Sequence, residues 1–94
     1  MSDTVSVPAG SLNFETISEF KRSINSGAEI EFEWNGIIYG VVRYGTDNEI
    51  TIYVANCPET EKICETADDA LEYMVGEDRL RDVITQVRVL ARTI

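Results

Sequence analysis

Histidine is absent from the 94-residue chain. With it go the commonest general base, the commonest metal ligand, and every Ser-His-Asp or Cys-His nucleophile system. Cysteine occurs twice, as Cys57 and Cys64. Zinc sites pair cysteines more closely and need four ligands, and dithiol redox centres use C-x-x-C. The two thiols therefore read as small, unrelated residues packed on the fold. Cations are scarce as well: 8 Lys and Arg stand against 17 Asp and Glu, a net charge of −9. Binding nucleic acid through its phosphates needs a basic surface, so no nucleic-acid partner is expected. No apolar run approaches the ~20 residues that span a bilayer, so no membrane partner is expected either. Met1–Gly10 has neither a basic n-region nor an apolar h-region, so a signal peptide is not expected and the setting reads as cytoplasmic. In that compartment thiols stay reduced. The glycines form no phosphate loop, since Gly36-Ile37-Ile38-Tyr39-Gly40 lacks the lysine and the helix start. Asp47-Asn48-Glu49 lacks the ligand spacing of a calcium loop. No cofactor is expected.

What remains is ordinary globular material, 44% apolar and 27% charged. The length fits one domain, expected over residues 12–94, behind a Ser/Thr/Pro/Gly-rich arm over 1–11 that reads as mobile. The charge is uneven, with net −10 in residues 1–76 and net +1 in 77–94.

Phe14, Ile17, Phe20 and Ile24 recur at helical spacing and predict a helix over 14–26, with Asn13 as N-cap and Gly27 as the stop. From Ala28 to Trp34 apolar residues alternate strictly with Glu29, Glu31 and Glu33, the signature of a half-buried strand. Asn35-Gly36 then predicts a type I′ hairpin turn into a strand over 37–43. A two-residue loop fixes the register: Trp34 opposite Ile37, Phe32 opposite Tyr39, Ile30 opposite Val41. A third strand over 50–54 follows a turn at 44–49. With Val41 opposite Ile52, Tyr53 lies over Gly40, an aromatic ring covering a strand glycine. Residues 55–65 read as a loop. Thr66 predicts an N-cap, Asp68 and Asp69 a first helical turn, and Gly76 the end of that helix. Leu80, Val83, Ile84, Val87, Leu90 and Ile94 follow a helical stripe with Asp78 as cap. Val87-Arg88-Val89-Leu90 would also serve as a strand, but a helix over 79–90 is the expectation.

The predicted fold is α+β: one helix, a three-stranded antiparallel meander with the second strand central, and two C-terminal helices packed on one sheet face. Its core should contain Phe14, Ile17, Phe20, Ile24, Ile30, Phe32, Trp34, Tyr39, Val41, Ile52, Leu71, Met74, Leu80 and Ile84.

Three groups of side chains bear on function. The Glu29/Glu31/Glu33 row could serve acid–base chemistry or a cation, but with no further polar residue aimed at it, it reads as an edge strand's guard against edge-to-edge aggregation. Ile38, Val42 and Tyr53 share the face away from the core and form an apolar stripe with an acidic rim, a pattern of protein interfaces unless another segment covers it. Arg81, Arg88 and Arg92 would share one side of the C-terminal helix. That row is either solvated or meets an acidic surface, such as the glutamate face of a second copy.

The run Glu29-Ile30-Glu31-Phe32-Glu33-Trp34-Asn35-Gly36-Ile37-Ile38-Tyr39, followed by Asp69-Ala70-Leu71-Glu72-Tyr73 and Leu80-Arg81-Asp82-Val83-Ile84, resembles small hypothetical proteins of Gram-positive bacteria and their prophages. The resemblance covers about residues 14–85. It implies a bacterial cytosol and no activity. The leading expectation is a non-enzymatic protein–protein interaction module that binds a protein partner or a second copy through Ile38, Val42, Tyr53, Arg81, Arg88 and Arg92. One alternative is an acidic antagonist of a basic partner, of the immunity or nucleic-acid-mimic type. Another is an enzyme or metal binder using the glutamate row.

Overall fold

The computed structural model describes residues 12–44 and 49–93. The expected arm over 1–11, the tip of the 44–49 turn and Ile94 lie outside the described residues. The element order is α1 (Ile17–Asn25), β1 (Ile30–Trp34), β2 (Ile37–Tyr44), β3 (Glu49–Val54), β4 (Cys57–Cys64), α2 (Ala67–Leu71), β5 (Met74–Val75), β6 (Asp78–Arg79), α3 (Leu80–Val83) and β7 (Arg88–Arg92). Strands β4-β3-β2-β1-β7 form one five-stranded sheet with every neighbouring pair antiparallel, and β5 and β6 form a separate hairpin.

The first hairpin follows from its sequence. Asn35 and Gly36 have φ of 54° and 82°, the two positive values a type I′ turn needs. The register is Trp34↔Ile37, Phe32↔Tyr39 and Ile30↔Val41, and β3 continues it with Val41↔Ile52 and Gly40↔Tyr53. Ile30, Phe32, Tyr39, Val41, Ile50 and Ile52 thus reach the same face and are buried there with Phe14, Phe20, Ile24, Leu71, Leu80 and Ile84. Phe32 stacks on Tyr39 with ring centroids 5.2 Å apart, and Phe14 meets Phe20 edge-on at 5.5 Å. Trp34 is partly buried at the end of this face, where its indole N–H donates to Asp78 Oδ2 at 3.2 Å.

The three-stranded meander with two C-terminal helices is overturned at both ends. Residues 57–64 are not a loop but the edge strand β4, turned back from β3 at Ala55-Asn56. Edge strands need little apolar content, and Pro58, Glu59, Glu61 and Lys62 are what an edge tolerates. The helix expected over 79–90 stops at Val83, and residues 88–92 form β7 on the other side of β1. The open N–H and C=O row of β1 needs partners, and Val87-Arg88-Val89 supplies a β-branched alternation that buries Val87 and Val89. β1 is therefore an interior strand, and its glutamates guard no edge.

Smaller departures have local causes. α1 begins at Ile17, later than Phe14, because Thr16 is its cap: Thr16 Oγ1 accepts from the Glu19 N–H at 3.0 Å. Asn13 Oδ1 instead accepts from the Val89 N–H at 2.8 Å and so covers part of the outer edge of β7. Ile17 consequently stays half-exposed. Thr66 caps α2 as its sequence suggests. That helix ends at Leu71, because Gly76 serves the β5–β6 turn rather than a helix terminus. The hairpin turns Val75 into the core and leaves Met74 exposed. Asp78 is taken up by Trp34, and α3 has no side-chain cap.

Candidate functional site: the outer face of the sheet

The buried side chains of the helices join the cluster on one face of the sheet. The opposite face is the candidate site. Strand alternation puts Glu31 and Glu33 there from β1, Ile38, Gly40 and Val42 from β2, and Glu49, Thr51 and Tyr53 from β3, and Glu29, just before β1, lines the same face. β4 adds Ile63 opposite Thr51, and β7 adds Arg88 opposite Glu33 and Ala91 opposite Glu31. Ile38 is 39% exposed and Ile63 61%, so aliphatic surface meets solvent at both ends of the patch.

Tyr53 sits as its register requires. A Cβ built on Gly40 would lie 2.4 Å from the Tyr53 Cζ and 2.5 Å from its hydroxyl oxygen, so the ring occupies the space a side chain at 40 would take. Gly40 and Ala91 flank Glu31 on either side, and both are small. The result is a shallow depression of about 140 Å³ lined by Glu29, Glu31, Val42, Tyr53, Ala91 and Thr93 together with Ile30. Thr93 closes one end, because its N–H donates to the Glu29 carbonyl at 3.0 Å and its hydroxyl accepts from the Glu29 N–H at 2.9 Å.

The three arginines do not form a row. Arg81 lies in α3, where it pairs with Glu72 beside Arg79. Arg88 stands on the outer face, two-thirds exposed, 3.5 Å from Glu33. Arg92 is on the inner side. Between Glu31↔Ala91 and Phe32↔Val89 the ladder slips by one residue, and this β-bulge reverses the alternation after Val89. Arg92 is thereby turned toward the core side with Ile30. Its guanidinium donates to the Leu12 carbonyl, Glu19 Oε2 and Ser23 Oγ at 3.1, 3.1 and 3.0 Å, and it stands 4.3 Å from the centre of the Phe14 ring. It is a pin between β7, α1 and the chain entering α1. Of the predicted interface set, Ile38, Val42, Tyr53 and Arg88 are together on one face, and Arg81 and Arg92 are not.

The sequence reading missed Ile63, on a segment it assigned to a loop, and Ala91 and Thr93, which lie past the end of the helix it expected over 79–90. The Val87-Arg88-Val89 alternation was the available signal for β7. Cys57 and Cys64 are free; they pair with Val54 and Ile50 of β3, which at the usual strand rise puts them ~13 Å apart, too far to bridge within the chain. Burial raises the Cys64 thiol, and it likewise raises the hydroxyls of Tyr39 and Tyr73 in the core. The Tyr73 hydroxyl donates to the Thr60 carbonyl at 3.1 Å. These are consequences of packing away from the outer face. Among the described residues no three His, Cys, Asp or Glu side chains converge as a metal site, and no helix is long and apolar enough to cross a membrane.

No protein-family model, curated protein or solved structure matches this chain. Its functional reading rests on the geometry of the outer face.

Proposed function

We propose that the chain is a non-enzymatic interaction module whose outer sheet face docks a protein with an apolar centre and a basic rim. The observation that supports this reading is the pairing of exposed aliphatic surface with uncompensated charge. Ile38, Val42, Tyr53 and Ile63 spread across three strands of an interior-rich sheet. Glu29, Glu31, Glu33 and Glu49 stand on the same face, and among the described residues Arg88 is the one cation that the register places there. Complementary potential selects partners and speeds encounter, while burying the apolar centre supplies affinity. A second copy is the poorer occupant, because a two-fold pairing of this face brings acidic rim to acidic rim. The arginine row that might have answered the glutamates in a homodimer is divided between two faces and α3.

The test uses the full chain as bait in a lysate of its own cells, at low and high salt, with Ile38→Asp and Met74→Asp. Met74 is exposed but lies in the β5–β6 hairpin, off the face. The expected result is capture that weakens with salt, is lost in Ile38→Asp and survives in Met74→Asp. Capture that persists in Ile38→Asp overturns the reading. So does a wild-type dimer, seen by light scattering, that Ile38→Asp dissociates, since a second copy then holds the face.

A further inference from the structure

The outer face carries a concave point, and its lining specifies what should enter it. Glu31 stands between Gly40 and Ala91, so the sheet surface stays low on the Ala91 side of its carboxylate and meets an aromatic ring on the Gly40 side. Tyr53 fills the space over Gly40 and presents its ring to the hollow, Val42 adds an aliphatic wall, and Glu29 and Thr93 close the end. The charge here is uncompensated. Glu33 has Arg88, whereas Glu29 and Glu31 have no cationic side chain within ion-pair distance among the described residues. Two carboxylates, an aromatic ring and an apolar wall around a depression of about 140 Å³ suit one chemical group. A guanidinium is planar, stacks on an aromatic ring, forks to carboxylates, and carries an aliphatic stem that the wall can cover. An ammonium can also sit over a ring, but it is a compact, strongly hydrated point charge that lacks the planar fork and stacks less well.

We propose that this hollow receives an arginine side chain from the docked protein, as the anchor of the interface. The inference rests on the docking reading and adds the identity of the central contact. Buried arginines beside aromatic rings are among the residues that dominate binding in protein interfaces.

The experiment follows backbone amide shifts of the isotopically labelled chain during titration with N-acetyl-arginine methylamide. N-acetyl-citrulline methylamide is the neutral isostere and N-acetyl-lysine methylamide the ammonium control. The expected result is weak saturable binding of the arginine probe, with shifts confined to Glu29–Glu31, Val42, Tyr53 and Ala91–Thr93. The lysine probe should bind more weakly, and the citrulline probe should leave the spectrum unchanged. Glu31→Gln should weaken the arginine probe about threefold, the scale of one exposed charge pair. Equal response to arginine and citrulline, shifts scattered over the acidic surface, or full binding by Glu31→Gln each overturn the proposal. The capture assay separates the two readings. Loss of the partner in Ile38→Asp with full retention in Glu31→Gln sinks the arginine anchor alone. Retention in both variants sinks the docking face itself.

Discussion

Arg92 offers the sharpest test of the tertiary arrangement, because the sequence makes Arg81, Arg88 and Arg92 equivalent and the structure does not. In Arg92→Ala the chain loses three guanidinium hydrogen bonds, to Leu12, Glu19 and Ser23, and a cation held over Phe14. The Arg92 side chain is only 13% exposed, so these contacts are little screened by water. Charged hydrogen bonds contribute about 1.5–3 kcal/mol each when isolated, but contacts sharing one group do not add. Glu19 is 30% exposed and regains water when its partner leaves, which limits the loss. Ser23 is buried and does not. The net cost should be about 3 kcal/mol, a large part of the ~5–10 kcal/mol that holds a domain of this size. The melting temperature should fall by about 15 °C. Arg88→Ala removes only an exposed pair with Glu33 and should change stability by less than about 0.5 kcal/mol. Arg92→Lys keeps the charge but not the fork, and should fall between them. Urea unfolding followed by Trp34 fluorescence measures all three.

The same network predicts a pH dependence. The Glu19 carboxyl is held below its ordinary value of 4.5, first by the hydrogen bond from the Glu15 N–H, against burial, and then by Arg92. A carboxyl lowered in the folded state contributes stability above its unfolded pKa, and that contribution is lost as pH falls through the folded one. Wild type should therefore lose stability on acidification below pH 4.5. Arg92→Ala should lose less over the same range, because part of the effect is already gone. Equal stability of Arg92→Ala and Arg88→Ala would refute the bulge, the inward turn of Arg92 and the argument built on them.

Gly40→Val should cost about 2 kcal/mol, since its side chain displaces the Tyr53 ring. In a Tyr53→Ser background the same change should be close to neutral, and a double-mutant cycle with coupling under about 0.5 kcal/mol would reject the ring-over-glycine packing. Asn13→Ala should destabilise by about 1 kcal/mol and speed hydrogen exchange at the Val89 amide, its partner on the edge of β7. In native protein at mildly alkaline pH, Cys57 should react with a thiol reagent well before Cys64, whose burial raises its pKa and shields it. Comparable rates for the two would contradict the placement of β4. Ile38→Asp should cost about 1–2 kcal/mol, because Asp is a poor strand former and lies opposite Glu33, and the variant should remain folded by circular dichroism, so that lost binding reports on the face itself.

The first hairpin and its register were legible because every determinant is local. Strict alternation over 28–34 and a turn with two positive φ values leave one pairing, and that pairing carries Gly40 and Tyr53 to the same spot. The helix caps at Thr16 and Thr66 are equally local, though only the second was read from its residues. β4 was illegible because an edge strand needs few apolar side chains. Met74 and Val75 exchanged places because a hairpin turn at Gly76 resets which side faces in. The candidate site was half visible: Ile38, Val42 and Tyr53 follow from the meander, whereas the hollow beside Glu31 needs Ala91 and Thr93.

The sequence by itself determined the acidic charge, the missing histidine chemistry, and which face of the central hairpin is oily. Each of these depends on residues that are neighbours along the chain. Only the tertiary structure decided the fate of residues 86–93, whose pattern suits a helix and a strand alike. There the unpaired backbone of β1 took β7 as its partner. One extra residue in that ladder then sent Arg88 to the open face and Arg92 to the core side, a separation of roles that no local pattern encodes.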